Sequence, residues 1–110
     1  MTDAPSHFAL SVIALDEHAV RIEVTGEIDL VSAPEFSQAL SRRIATGKNV
    51  VLDFSRTVFM DSSGIRALVN AIHQCEDHGS TLVVTGELPH QVRRLFEITR
   101  IEAALAVVRS

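Results

Sequence analysis

A short polar stretch, FMDSSGI at residues 59–65, separates two apolar runs, VVLDF before it and ALVNAIHQC after it. The first N–H groups of a helix have no partner within that helix, and Asp61 or Ser62 can cap them here. A cap needs only one side chain, so at least one hydroxyl, on Ser62 or Ser63, stays available. A serine at a helix N-terminus suits reversible phosphorylation, because the helix end favours negative charge. The alternative is that the serines only cap the helix.

The composition limits the functions that the chain can have. It has 110 residues, 46% of them apolar, which predicts one domain, residues 1–110, around a single packed core. The net charge is −4 and the Lys and Arg residues are scattered, which argues against direct binding of nucleic acid. Residues 1–7 are polar and expected to be flexible, and we expect no signal peptide here because they lack a basic region and an apolar run. No apolar stretch approaches the roughly 20 residues of a membrane-spanning helix, so we expect a cytoplasmic protein with no membrane partner.

Other kinds of site are disfavoured. Cys75 is the one cysteine, so neither an internal disulfide nor a multi-cysteine metal site can form. The five histidines lack metal-ligand spacing, and we expect neither a metal nor a cofactor. A serine hydrolase needs a histidine beside its serine, but His73 lies about 16 Å down the helix from the serine pair. Because a G-x-S-x-G motif is also missing, we predict that the protein is not an enzyme.

The strands are indicated by their hydrophobic patterns. FALSVIAL and AVRIEVT predict a hairpin, and in the second run Val20, Ile22 and Val24 alternate with polar residues, as in a strand with one wet face. VVLDF and TLVVT are short and apolar, and the pattern predicts that VVLDF is a central strand covered on both faces. LAVV predicts a last short strand near the C-terminus.

Three helices are predicted between these strands. The first has apolar residues at helical spacing, a capping box formed by Ser32 and Glu35, and Gly47 at its end. The second begins after the serine pair and ends at Gly79, and the third has Pro89 in its first turn. Strands that alternate with helices favour an α/β fold, with a mixed, mostly parallel sheet and helices packed on it.

The second helix has an apolar and a polar face. The residues that we expect to face the core are Ile65, Leu68, Val69, Ile72 and Cys75. Arg66, Asn70 and His73 lie opposite them and begin one turn after Ser62. We predict that these three residues belong to a partner-binding surface. Arg66 should contribute most, because arginine is favoured at the centres of contacts.

Three segments occur in the order GEID at 26–29, VVLDFSRTVFMDSSGIRALV at 50–69 and GSTLVVTGELPHQVRRLFEIT at 79–99. Together they resemble the anti-sigma factor antagonists, which are bacterial single-domain STAS proteins (sulfate transporter and anti-sigma antagonist). The resemblance implies a STAS fold and a partner switch. The unmodified antagonist binds an anti-sigma factor that is also a serine kinase, and so releases the sigma factor.

The resemblance also implies roles for individual residues. The kinase would phosphorylate the serine directly after the aspartate, here Ser62, and a PP2C-type phosphatase would remove the phosphate. Asp29 and Asp61 would flank the phosphoserine, with Ser63 and Gly64 beside it.

Two features depart from the family pattern. Arg100 stands where the family often has a glycine after its third helix, and the typical C-terminal helix is not evident after LAVVRS.

The alternative function is that of a STAS scaffold, or of a regulatory subunit of a stress-sensing complex or a transporter, without a sigma-factor role.

Overall fold

The structure is a computed structural model that describes residues 7–108. Its strands are β1 (Ala9–Ala14), β2 (Ala19–Ile28), β3 (Asn49–Met60), β4 (Leu82–Thr85) and β5 (Ala106–Val108). Its helices are α1 (Ala33–Ala45), α2 (Ser62–His78) and α3 (His90–Thr99), followed by a 3₁₀ turn over Ile101–Ala103. The predicted flexibility of residues 1–7 falls, apart from His7, outside the described residues, as does the question of a helix after residue 108.

The sheet has the predicted mixed topology. Its strands lie in the order β1-β2-β3-β4-β5, with β1 antiparallel to β2 and every later pair parallel. The predicted hairpin and the α/β fold with a mostly parallel sheet are therefore confirmed. β3 is the central strand, and it is long: β4 pairs with it only as far as Asp53, whereas β2 follows it to Met60. The last part of β3 therefore has a strand on one side only.

The helices of the described chain pack on one face of this sheet. Phe54 of β3 lies between Phe36 of α1 and Phe96 of α3, with ring centroids 6.0 Å apart in each pair and edge-to-face geometry. The prediction that VVLDF is covered on both faces is wrong. Residues on its helix side are fully buried, whereas Val51 and Asp53 on the other side remain partly exposed. That side carries an ion pair, because Arg21 of β2 reaches Asp53 with 2.5 Å between Nη2 and Oδ2.

The first helix begins differently from the prediction. Ser32 occupies the N-cap position, but its side chain makes no capping hydrogen bond, so the expected capping box with Glu35 is not formed. The Ser32 hydroxyl instead donates to the carbonyl of Glu27 at 2.7 Å and accepts from the N–H of Asp29 at 3.0 Å. The Ser32 side chain therefore stabilises the loop between β2 and α1 and does not cap the helix.

The second helix confirms most of the expected core stripe. Leu68 and Cys75 are buried, and Ile65 and Ile72 pack against the core from partly buried positions. Val69 is 37% exposed, so its assignment to the core face is wrong. Small residues, Ala67 and Ala71, are buried instead, on the side of α2 where Gln74 accepts a hydrogen bond from Ser41 of α1 at 3.0 Å. The helix ends at Gly79 in the left-handed conformation, as predicted.

Candidate functional site

The serine pair lies in the tight turn between β3 and α2. Of the two residues able to cap the helix, Asp61 does so: its carboxylate accepts a hydrogen bond from the N–H of Ser63 at 2.8 Å. Ser62 is the first residue of the helix and is exposed. Within residues 7–108 its hydroxyl makes no hydrogen bond, so it is available for chemistry without loss of the cap.

Gly64 allows the start of the helix to lie directly on the strand ends. A Cβ atom at this position would be 2.6 Å from Cγ of Met60 and 3.0 Å from Cγ2 of Ile28. These distances are shorter than carbon atoms tolerate without displacement. The absence of a side chain at Gly64 therefore fixes how closely Ser62 approaches the carboxyl ends of β2 and β3.

The end of β3 is held by a residue that the sequence did not reveal. The N–H of Met60 donates to Oε1 of Gln91 at 2.8 Å, and Nε2 of Gln91 donates to the carbonyl of Met60 at 2.8 Å. A carboxamide can mimic one peptide unit in this way, because it carries a donor and an acceptor side by side. β4 does not extend as far as Met60. Gln91, near the start of α3, thus supplies the hydrogen bonds that a neighbouring strand would otherwise make there.

Asp29 follows β2 just as Asp61 follows β3. The N–H of Asp61 donates to the carbonyl of Ile28 at 3.1 Å, which places the two aspartates at adjacent strand ends. One carboxylate oxygen of Asp29 accepts hydrogen bonds from the N–H groups of Val31 and Ser32, both at 3.0 Å. These bonds, the one from Ser32 first, hold the pKa of Asp29 below its usual value of 3.8. The carboxylate is therefore ionised and fixed beside the serine turn at neutral pH.

Apolar side chains surround this turn on the surface. Leu30 and Val31, directly after Asp29, are 77% and 87% exposed, and Val58 and Phe59 near the end of β3 are also exposed. Glu27 of β2 pairs with Phe59, so the two segments lie at the same end of the sheet. We call Leu30, Val31, Val58 and Phe59 the apolar rim. Exposed apolar groups gathered at one place on a small protein are typical of a protein-binding surface.

The polar face of α2 continues from Ser62 along the helix. Arg66, Asn70 and His73 are all exposed, and their spacing places them on the same side of the helix as Ser62. Val69 lies among them as an exposed apolar residue. The predicted exposure of the three residues is thus confirmed, and their role in partner binding stays a prediction.

A cleft of about 200 Å³ on the open side of the sheet is lined by Glu23, Val24, Asp53, Ser55 and Arg56. The acidic residues of this cleft are already paired, since Arg21 bonds both Glu23 and Asp53. Among residues 7–108, no group of three or more His, Cys, Asp or Glu side chains could hold a metal ion.

No helix in the described part of the chain combines the length and apolar character that crossing a membrane requires.

Comparison with known proteins gives consistent matches. Residues 11–109 match the family model described as "Mlab, STAS domain". An anti-sigma-B factor antagonist of Listeria monocytogenes is 29% identical over 102 residues, which are 92% of this chain and 89% of that protein. The solved structure of the anti-sigma factor antagonist SpoIIAA in its unphosphorylated form aligns with a TM-score of 0.79 at 20% identity, covering 93% of this chain and 88% of that one. An anti-sigma factor antagonist from Mycobacterium paratuberculosis aligns with a TM-score of 0.77 at 25% identity, covering 96% and 89%. The predicted STAS fold is confirmed.

Proposed function

The chain belongs to the STAS domain family, and we propose that it acts as an anti-sigma factor antagonist whose binding is switched off by phosphorylation of Ser62. The unmodified protein binds an anti-sigma factor with serine kinase activity and so releases a sigma factor. A PP2C-type phosphatase restores the binding form. In this role the protein is a regulator, and the chemistry is performed by its partners.

One observation carries the proposal: the hydroxyl of Ser62 is exposed and unbonded within the described chain, while Asp61 caps the helix. A kinase can reach such a hydroxyl without unfolding the turn. The apolar rim beside it supplies surface for a protein partner, and this surface would lose contact with water when the partner docks. The modifiable group and the binding surface are therefore contiguous.

Phosphate at Ser62 would act mainly by local repulsion. The helix N-terminus tolerates negative charge, so a phosphate of about −1.5 to −2 would not unwind α2. Asp61 and Asp29 carry like charge at the adjacent strand ends, and they would direct the phosphate outward over the apolar rim. Burying a dianion there without a matched cation costs several kcal/mol, and about 4 kcal/mol already weakens binding roughly a thousandfold.

This mechanism predicts that the two forms share one backbone. Amide chemical shifts should change on phosphorylation in the turn at residues 60–64 and in its immediate neighbours. Widespread changes in β1 and β5, which lie at the two edges of the sheet, would show that the switch is a global rearrangement instead.

The decisive experiment is mass spectrometry of the protein isolated from its own cells, with and without the partner kinase. We expect one phosphate on Ser62 when the kinase is present and none when it is deleted. Ser63→Ala serves as the matched control and should keep the modification. A Ser62 that is unmodified under every condition would favour the alternative of a STAS scaffold or regulatory subunit.

A further inference from the structure

One edge of the sheet is formed by β1, whose sequence is ALSVIA. Within the described chain β1 has a neighbour, β2, on one side only. Natural edge strands usually carry a lysine, a proline or an inward charge that prevents pairing with another chain. β1 has none of these, and it is six residues long.

The hydrogen-bond pattern shows which backbone groups point outward. The N–H of Leu15 donates to the carbonyl of Ala19 at 3.0 Å, so these residues form a hydrogen-bonded pair. Such pairs alternate along an antiparallel ladder, which directs the backbone groups of Ala9, Ser11 and Ile13 to β2. The N–H and C=O groups left on the outer edge are those of Leu10, Val12 and Ala14.

The pairing of β2 with β3 leads to the same assignment of inward and outward backbone groups. The N–H of Asn49 donates to the carbonyl of His18, so the even-numbered residues of β2 face β3 and the odd-numbered ones face β1. Arg21 and Glu23 therefore bond through their backbones to their partners Ile13 and Ser11. Both observations place Val12 at the centre of the edge that no strand of residues 7–108 covers.

We propose that β1 pairs antiparallel with β1 of a second copy of this chain, about a two-fold axis at Val12. In this register Val12 faces Val12 of the second copy, and Leu10 faces Ala14 in both directions. All of the outward backbone groups of these three residues are then satisfied, by about six hydrogen bonds. The two five-stranded sheets become one continuous sheet.

The side chains of β1 fit this register. Val12, Ile13 and Leu15 are each more than a third exposed in the single chain. Antiparallel pairing around Val12 sets Ile13 opposite Ser11 of the second copy and Leu15 opposite Ala9. Each exposed apolar side chain thereby gains a small or apolar neighbour across the new ladder, and no like charges oppose one another. The edge strand β1 is thus complementary to itself, so a second copy of the chain fits this edge.

The pairing leaves the serine turn accessible, because β1 lies at the edge of the sheet whereas the turn follows the central strand β3, with β2 between them. Each copy in the dimer retains its own Ser62 and apolar rim. Dimer formation and partner binding can therefore be tested separately, and the failure of one proposal does not decide the other.

Sedimentation equilibrium over a wide concentration range tests the pairing. We expect the wild-type protein to pass from monomer to dimer as its concentration rises, with no larger species. Val12→Pro removes an outward N–H that β2 does not use, and proline is tolerated on an edge strand for that reason. This variant should dimerise at least tenfold more weakly. Val12→Thr keeps the N–H and the β-branched shape, and it should dimerise like the wild type.

A cross-linking experiment fixes the register and does not depend on the fold of the proline variant. In a Cys75→Ala background, Val12→Cys places two thiols at directly opposed positions, with Cα atoms about 5.5 Å apart, which a disulfide can bridge. Ser11→Cys places them at offset positions and serves as the control. We expect mild oxidation to give a covalent dimer with Val12→Cys and little with Ser11→Cys. A wild-type protein that stays monomeric, forms higher aggregates, or gives equal cross-linking at both positions would overturn the proposal.

Discussion

Gln91 and Met60 are joined by two hydrogen bonds of 2.8 Å, one in each direction between a side-chain amide and a backbone peptide. The contact ties the first turn of α3 to the last residue of the central strand, directly before the serine turn. It joins residues 31 positions apart in the sequence. The stability of the site therefore depends on a helix that carries none of the predicted site residues.

Replacing this glutamine should destabilise the protein. Gln91→Ala leaves the partly buried N–H and C=O groups of Met60 without their partner, which costs about 1–3 kcal/mol. His90→Ala removes an exposed neighbouring side chain and is the control, with an expected effect within about 0.5 kcal/mol. Urea unfolding measures both changes. Equal free energies of unfolding for the two variants would show that the paired contact contributes nothing.

The capping geometry predicts that removal of the modifiable serine is mild. Ser62→Ala should cost about 1 kcal/mol or less, because Asp61 caps the helix. The variant should bind the anti-sigma factor equally well with and without ATP. Asp61→Ala is the informative contrast, since it removes the cap and should cost about 1 kcal/mol. If labelled phosphate enters Ser62→Ala at the wild-type rate, Ser62 is not the acceptor.

The exposed face of α2 gives a prediction about binding. Arg66→Ala should weaken binding to the anti-sigma factor by about 1 kcal/mol or more, because arginine side chains often carry interface energy. The thermal midpoint should stay unchanged, since Arg66 is exposed. Arg94→Ala removes an arginine that is also exposed, on α3, and should leave the affinity unaltered. Should both variants bind like the wild type, the interface lies elsewhere, with the loop at Asp29 as the next region to test.

The ion pair on the open side of the sheet predicts a pH dependence. Burial alone would raise the pKa of Asp53, but hydrogen bonds from Ser55 and Arg21 outweigh it and hold that pKa below the usual 3.8. On acidification, the carboxylate of Asp53 therefore stays ionised to a lower pH in the native state than in the unfolded state. The resulting stabilisation is present above the unfolded pKa and is lost as the pH falls through the lower native value.

Asp53→Asn should consequently be less stable than the wild type at pH 7, with a smaller difference at acidic pH. Thermal unfolding between about pH 7 and pH 2 measures this. Asp16→Asn, in the exposed turn after β1, is the control carboxylate. Parallel stability curves for Asp53→Asn and the wild type would contradict the assignment.

Replacing Arg100 with glycine should stabilise the protein. It ends α3 in the left-handed conformation with φ of 58°, where a side chain costs about 1 kcal/mol and glycine does not. Arg100→Gly should therefore raise the free energy of unfolding by about 0.5–1 kcal/mol. The same substitution inside the helix, Arg94→Gly, should lower it by about 1 kcal/mol. A loss of stability in both variants would show that the Arg100 side chain makes a contribution larger than its backbone strain.

The sequence predicted most of the fold because its local signals agree with the tertiary structure. The alternation of Val20, Ile22 and Val24 reports a one-sided strand whatever lies beside it, and Gly79 marks a helix end from its own backbone freedom. The resemblance to the family singled out Arg100, and the structure shows that this residue has the left-handed backbone conformation for which glycine is ordinarily used. The alternation in β2 and the helix end at Gly79 depend on neighbours only a few residues away.

The missed features depend on distant partners. VVLDF appeared covered on both faces because nothing local shows that Asp53 pairs with Arg21, which lies 32 positions earlier. The capping box at Ser32 failed because the loop from Glu27 to Asp29 competes for the same hydroxyl. Gln91 looked like an ordinary surface residue, and only the difference in length between β3 and β4 explains its role. Val69 was misplaced because α2 buries Ala67 and Ala71, on the side bonded to Ser41 of α1, in its place.

The division of roles between Asp61 and Ser62 has an evolutionary consequence. Because the carboxylate holds the helix while the adjacent hydroxyl contributes no hydrogen bond within the described chain, the position after Asp61 can change without endangering the fold. Under the proposed switch, replacement of Ser62 by alanine would give a domain that cannot be switched off, and the reverse substitution would make an unregulated copy responsive again. Duplicated genes for such a domain can therefore diverge in control before they diverge in shape.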